Sequence, residues 1–256
     1  MSTRYLIGRA ELLTYPIEAP KKKTGDKAHP YTLGEAQRII VPEIEVANTI
    51  FQSLPTKACA DDLAVARLVL HPAYLAKSFF PKLLLDQVGL SSVGSRTRRI
   101  KPRHQTQKKA PPEAETTELF VAGTRAALSN FPAFAQSLNE QMPVAEQFAR
   151  IETFAAMTPV DRLHLDGATV GHVFEVGLHL PPEGNASDVR SMFADYAKDC
   201  GFEVNGAFEF EAGRLLFVAV EGEASGLEQL SQFTLTRVVR PMPHLRAARP
   251  VTRSMP

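Results

Sequence analysis

The sequence predicts an α+β protein, two tandem ferredoxin-like (β-α-β-β-α-β) units, and three observations in its second half carry that reading. Val170, His172, Phe174, Val176, Leu178 and Leu180 alternate strictly, the period of a half-buried strand, and Pro181-Pro182 ends the run. Val189, Met192, Phe193, Tyr196 and Ala197 then recur at helical spacing, with Ser187 placed to cap the start and Gly201 to supply the left-handed stop. Ala207 to Glu211 and Arg214 to Val220 read as two strands joined by a tight Ala212-Gly213 turn.

A short helix from Ser225, with Leu227 and Leu230 inward, and a last strand from Phe233 to Val239 complete the β-α-β-β-α-β order. In that plan two helices cover one sheet face and leave the other open. By alternation the open face carries Glu175, His179, Glu209 and Glu211, while Phe208 and Phe210 face the core.

The first half repeats the plan more loosely. Val65 to Leu70 is a β-branched run, Pro72 to Val88 reads as a helix kinked at Pro81, and Ser92 to Ile100 and Thr117 to Ala122 read as strands. A helix from Thr124 to Leu138, interrupted near Pro132, and a strand from Ile151 to Met157 follow. The predicted divisions are an N-terminal elaboration (1–60) with a Lys21-Lys22-Lys23 loop and a helix from Thr32, a first α/β unit (61–160), a second (165–240), and an extended Pro/Arg-rich tail (241–256).

The chain has 256 residues, 29 Lys or Arg against 28 Asp or Glu, and a net charge of +1. That balance hides a polarity. Seven cations and no acid lie between Arg96 and Lys109, and five arginines and no acid between Gln229 and Pro256, leaving −11 on the remainder. The stretch 101–115 has no apolar periodicity and reads as a mobile loop. No apolar run approaches a membrane span, and the first residues lack the apolar core of a signal peptide, so the expected address is the cytoplasm. Two cysteines, Cys59 and Cys200, make neither a disulfide scaffold nor a zinc module, and read as small core residues.

Catalytic signatures are missing. GxSxG, P-loop, dinucleotide fingerprint and HExxH patterns do not occur. His172, Glu175 and His179 make no metal site, because Glu175 and His179 would lie about 13 Å apart along a strand and His172 points to the opposite face. No cofactor is expected. Asp166-Gly167 reads as a turn. The segment Gly213 to Val218 lacks the internal glycine and first aromatic of an RNA-recognition sheet.

Four strings occur in a telling order: His71-Pro72-Ala73-Tyr74-Leu75-Ala76-Lys77-Ser78-Phe79-Phe80-Pro81, then Val93-Gly94-Ser95-Arg96, Thr117-Glu118-Leu119-Phe120-Val121-Ala122-Gly123, and Arg237-Val238-Val239-Arg240-Pro241-Met242-Pro243. Together they resemble the N-terminal, non-catalytic region of bacterial subtilisin-like serine proteases (the subtilase or peptidase S8 family), in the branch paired with an AAA-type ATPase and associated with phage defence. The resemblance runs from about Tyr5 to Arg253. The Asp, His and Ser motifs of the protease domain are absent, and Arg253-Ser254-Met255-Pro256 lacks the glycine and threonine that precede the catalytic serine.

The resemblance implies a prodomain or regulatory region, without enzymatic activity as this chain alone, acting as intramolecular chaperone, inhibitor or docking module. Its implied partner is a subtilisin-like protease domain, in cis or in trans, and an AAA-type ATPase is a second. The open face, with Glu175, Glu209 and Glu211, would meet the protease. In the tail, Met242, Leu245 and Val251 would fill subsites while Arg240, Arg246, Arg249 and Arg253 meet acidic rims. The alternative is a non-enzymatic adaptor that binds the ATPase or a nucleic acid through Arg96, Arg98, Arg99, Lys101 and Arg103.

Overall fold

In the computed structural model, which describes residues 30–104, 112–165 and 172–242, the fold is α+β and rests on two four-stranded antiparallel sheets. The first holds β1 (Leu63–Leu70), β2 (Ser91–Ile100), β3 (Ala114–Thr124) and β4 (Ile151–Ala156) in the order β2-β3-β1-β4. Leu68 lies opposite both Leu119 of β3 and Phe154 of β4, so one apolar row crosses three strands. That row, with Ala64, Ala66 and Val121, is buried beneath helices.

Two of those helices are α3 (Arg125–Ser137) and α4 (Pro143–Phe148), and α3 runs through Pro132 without interruption. The third is α1 (Leu33–Ser53), started by a capping box between Thr32 and Glu35. Its buried stripe Leu33, Ala36, Ile40, Ile44, Ala47 and Phe51 belongs to the first core, so the helix expected from Thr32 is a layer packed on the first sheet. The predicted helix from Pro72 to Val88 does not form as one piece. Two 3₁₀ turns, Pro72–Tyr74 and Lys77–Phe79, precede a six-residue α2 (Lys82–Gln87), because prolines at 72 and 81 each remove a helical donor and start a new turn.

The second sheet holds β5 (Val173–His179), β6 (Glu203–Ala212), β7 (Leu215–Glu221) and β8 (Thr236–Pro241) in the order β6-β7-β5-β8, the same order as the first. Phe174, Val176, Leu178, Val218, Val220 and Val239 form its inner face. Against them pack Val189, Phe193 and Tyr196 of α6 (Ala186–Asp199), and Leu227 and Leu230 of α7 (Leu227–Leu230). The cap of α6 is Asn185, whose side chain accepts from the Asp188 amide at 2.8 Å, and not Ser187, which lies inside the helix. Gly201 follows with φ +81°, a conformation open to glycine at little cost. The last strand begins three residues later than expected; Phe233 and Leu235 are buried just before it.

The units share a core. Val65, Val93, Phe120 and Ala122, on the back of the first sheet, pack into the same apolar cluster as β5 and α6. The join is also polar. In α5 (Pro159–Arg162), Arg162 is 2% exposed and donates to the carbonyls of Ser231 and Thr234 at 2.6 and 3.2 Å. Burial pushes its pKa down to about 10, still a cation at neutral pH. Thr234 in turn donates its amide to Ala58 at 2.8 Å. Among the described residues no helix is long and apolar enough to cross a membrane.

Candidate functional site

The outer face of the second sheet, opposite its helices, divides into a closed part and an open one. At the closed end lies His179, 1% exposed, its ring 5.3 Å from that of Phe120 in the first sheet. Neither ring nitrogen makes a hydrogen bond of good geometry, although the Val93 backbone lies near enough to favour the charged form slightly. Burial, with help from the Arg237 charge, holds its pKa at about 3, so this imidazole is neutral. Glu175 is also buried, and the Arg240 guanidinium pairs with it at 2.5 Å. The residues expected as free polar groups on an open face are thus one covered by a neighbouring sheet and one neutralised by its own partner.

The other two expected carboxylates are on the wrong side. Between Asn205, opposite Ala219, and Glu209, opposite Val218, β6 inserts three extra residues. An odd insertion reverses the in-out alternation. Glu209 and Glu211 therefore lie on the helix side, where Glu209 pairs with Arg190 of α6 at 2.6 Å. Phe210 moves to the outer face and stacks on Phe217, ring centres 4.7 Å apart and planes within 7°. Phe208, in the bulge, and Phe210 are 57% and 53% exposed, so neither faces the core as the alternation predicts. The signal that marks this site is Asn205-Gly206: a glycine inside a strand pattern goes with bulges, and the Asn205 side chain accepts from the Ala207 amide at 3.0 Å.

The outcome is an apolar platform of Phe208, Phe210, Phe217 and Met242 around a cleft of about 240 Å³, with Glu175 at its floor. Gly177 lies beneath the Phe217 ring; a Cβ there would come within 3.0 Å of both Phe217 and Val238. Met242 is the last described residue before the C-terminal segment, and its amide donates to the Val173 carbonyl at 3.2 Å. Arg240 belongs to β8 and is engaged by Glu175, not free for an acidic rim. The expected tail contacts Leu245, Arg246, Arg249, Val251 and Arg253 lie outside the described residues.

The cations of the basic segment are largely engaged. Arg96, Arg98 and Arg99 stand in β2, as the strand reading of Ser92 to Ile100 expects. Arg96 and Arg98 both pair with Glu118, a carboxylate fully buried on β3, the second at 2.5 Å. Arg103 pairs with Glu43 of α1 and donates to the Glu152 carbonyl at 2.9 Å, clasping the edge strand β4. Among the described residues Arg99 and Lys101 are the members of this set without an ion pair.

No group of three or more His, Cys, Asp or Glu positioned to hold a metal ion occurs among the described residues. Cys59 is buried and Cys200 half-buried, and burial pushes both thiols up, away from the reactive thiolate. Comparison with protein-family models, with curated proteins and with solved structures finds no match.

Proposed function

We propose that this chain is the non-catalytic prodomain or regulatory region of a subtilisin-like serine protease, and that it docks on the protease through the aromatic face of its second sheet. The observation that carries the reading is the platform of exposed Phe208 and Phe210 with half-buried Phe217 and Met242, at the point where the chain enters its last segment. Large apolar side chains set together and exposed on one sheet face mark a protein-contact surface. The remaining segment is Pro- and Arg-rich and suits an extended strand-like contact in a substrate cleft. The four ordered strings that resemble the leader region of subtilisin-like proteases lend independent support.

The same disposition weakens the adaptor alternative. Three of the five cations it relies on serve internal carboxylates, so nucleic acid or an AAA-type ATPase would find mainly Arg99 and Lys101. The chain by itself is assigned no catalytic role, and the soluble cytoplasmic setting belongs to the same proposal. Mixing the purified chain with its cognate subtilisin-like domain tests it: slowed peptide hydrolysis or faster refolding of the protease is expected. Unaltered hydrolysis and refolding at saturating chain would refute the assignment.

A further inference from the structure

In a β-α-β-β-α-β unit the connection from the first strand to the second is a helix lying over the sheet. In the first unit that connection is the broken strap 72–80 followed by the short α2. Beneath it opens a cleft of about 810 Å³ between the strap and the β2–β3 ladder, a size within the usual range for small-molecule sites.

The walls of the cleft have a definite chemistry. Leu119 on the sheet and Leu75 and Phe80 on the strap are apolar; Leu75 and Phe80 are 51% and 37% exposed, which is costly for side chains of this size unless something covers them. Ser95 and Thr117 offer hydroxyls from the sheet. Two cations face the same space, Lys77 from the strap and Arg214 from the β6–β7 turn of the second unit, and neither has an ion pair among the described residues. The lining holds no Asp, Glu, Asn or Gln, so it lacks the mixed acceptors that read a nucleobase edge or a sugar.

We propose that this cleft binds a small amphipathic monoanion, an apolar chain ending in a carboxylate. Lys77 and Arg214 meet the carboxylate, Ser95 and Thr117 complete its hydrogen bonds, and the chain covers Leu75, Phe80 and Leu119. Because Arg214 comes from the second unit, the ligand bridges the two units. The proposal needs no protease and stands apart from the docking face, which lies on the other sheet.

Isothermal titration of the full chain with decanoate tests it, with decan-1-ol and inorganic phosphate as the two halves of the ligand's chemistry. One saturable decanoate site is expected, with binding weakened roughly tenfold or more in a Lys77→Ala/Arg214→Ala variant, since a charge-assisted contact is lost. Leu75→Ser should weaken it too, while the melting temperature of both variants stays near that of the parent because Lys77, Arg214 and Leu75 are exposed. Decan-1-ol and phosphate should each bind at least tenfold more weakly than decanoate. No saturable decanoate binding, equal binding by decan-1-ol or phosphate, or undiminished binding by the double variant would overturn the proposal.

Discussion

The guanidinium carbon of Arg237 lies 3.6 Å from the centre of the Phe120 ring, a cation–π contact between the second sheet and the first. Phe120 is fully buried and also meets His179, so one aromatic ring joins the back of one sheet to the outer face of the other. This contact closes half of a face that would otherwise be open, and leaves the aromatic platform on the half near Phe217.

A shared core predicts shared unfolding. Phe120→Ala should cost about 3–4 kcal/mol, the usual range for a buried phenylalanine, and both units should lose it in one transition. Denaturant unfolding followed by far-UV circular dichroism and by tyrosine fluorescence checks this. Two separated transitions in the parent chain would mean that the join is weak.

His179 makes stability depend on pH. Its folded pKa, about 3, is below the ordinary 6.5, so the unfolded chain binds the extra proton first. Stability is therefore full above about pH 6.5 and falls on acidification towards pH 3, by up to about 1.4 kcal/mol per pH unit from this group. His179→Leu should flatten that slope between pH 6.5 and 5, where few carboxylates titrate. Parallel pH profiles for parent and variant would show that the imidazole is not held neutral.

The Glu118 cluster should respond asymmetrically. Removing both Arg96 and Arg98 strands a carboxylate with no exposure and should cost about 3 kcal/mol. Glu118→Gln leaves two arginines that are each more than a third exposed and can hydrate, so it should cost about 1 kcal/mol. Chemical denaturation of the two variants distinguishes this structural role from a binding role, in which stability would be unchanged.

Gly177 tests how the platform is supported. Gly177→Val places methyl groups where Phe217 and Val238 already approach a would-be Cβ to 3.0 Å, and should cost about 1–3 kcal/mol by overpacking. The displaced Phe217 ring should also weaken docking. A variant as stable as the parent would mean that the ring has room to move.

Much of the architecture is legible in the sequence, for reasons that can be named. Alternation in 174–180 and the helical stripe of α6 are local patterns, and both hold. The aromatic platform is not legible that way, because counting alternation assumes an unbroken phase and β6 breaks it at Gly206. Unbroken alternation therefore puts Glu209 and Glu211 on the face that Phe210 occupies. The basic segment misleads for a different reason: net charge says nothing of partners, and Glu118 reaches Arg96 and Arg98 only through the β2–β3 register. An amphipathic stripe on α1 likewise shows that the helix has a partner without saying which sheet.

The central claim is that the aromatic face docks a subtilisin-like protease domain. The most direct test is calorimetric titration of the cognate domain with the parent chain and with a Phe208→Ser/Phe210→Ser variant. Both side chains are more than half exposed, so the variant should still fold, its melting temperature lowered by no more than a few degrees through loss of the Phe210–Phe217 stack. Two central aromatic anchors are expected to carry about 3 kcal/mol or more of binding, a loss of roughly 100-fold in affinity. Equal affinity of parent and variant, or no binding by the parent, would contradict the account.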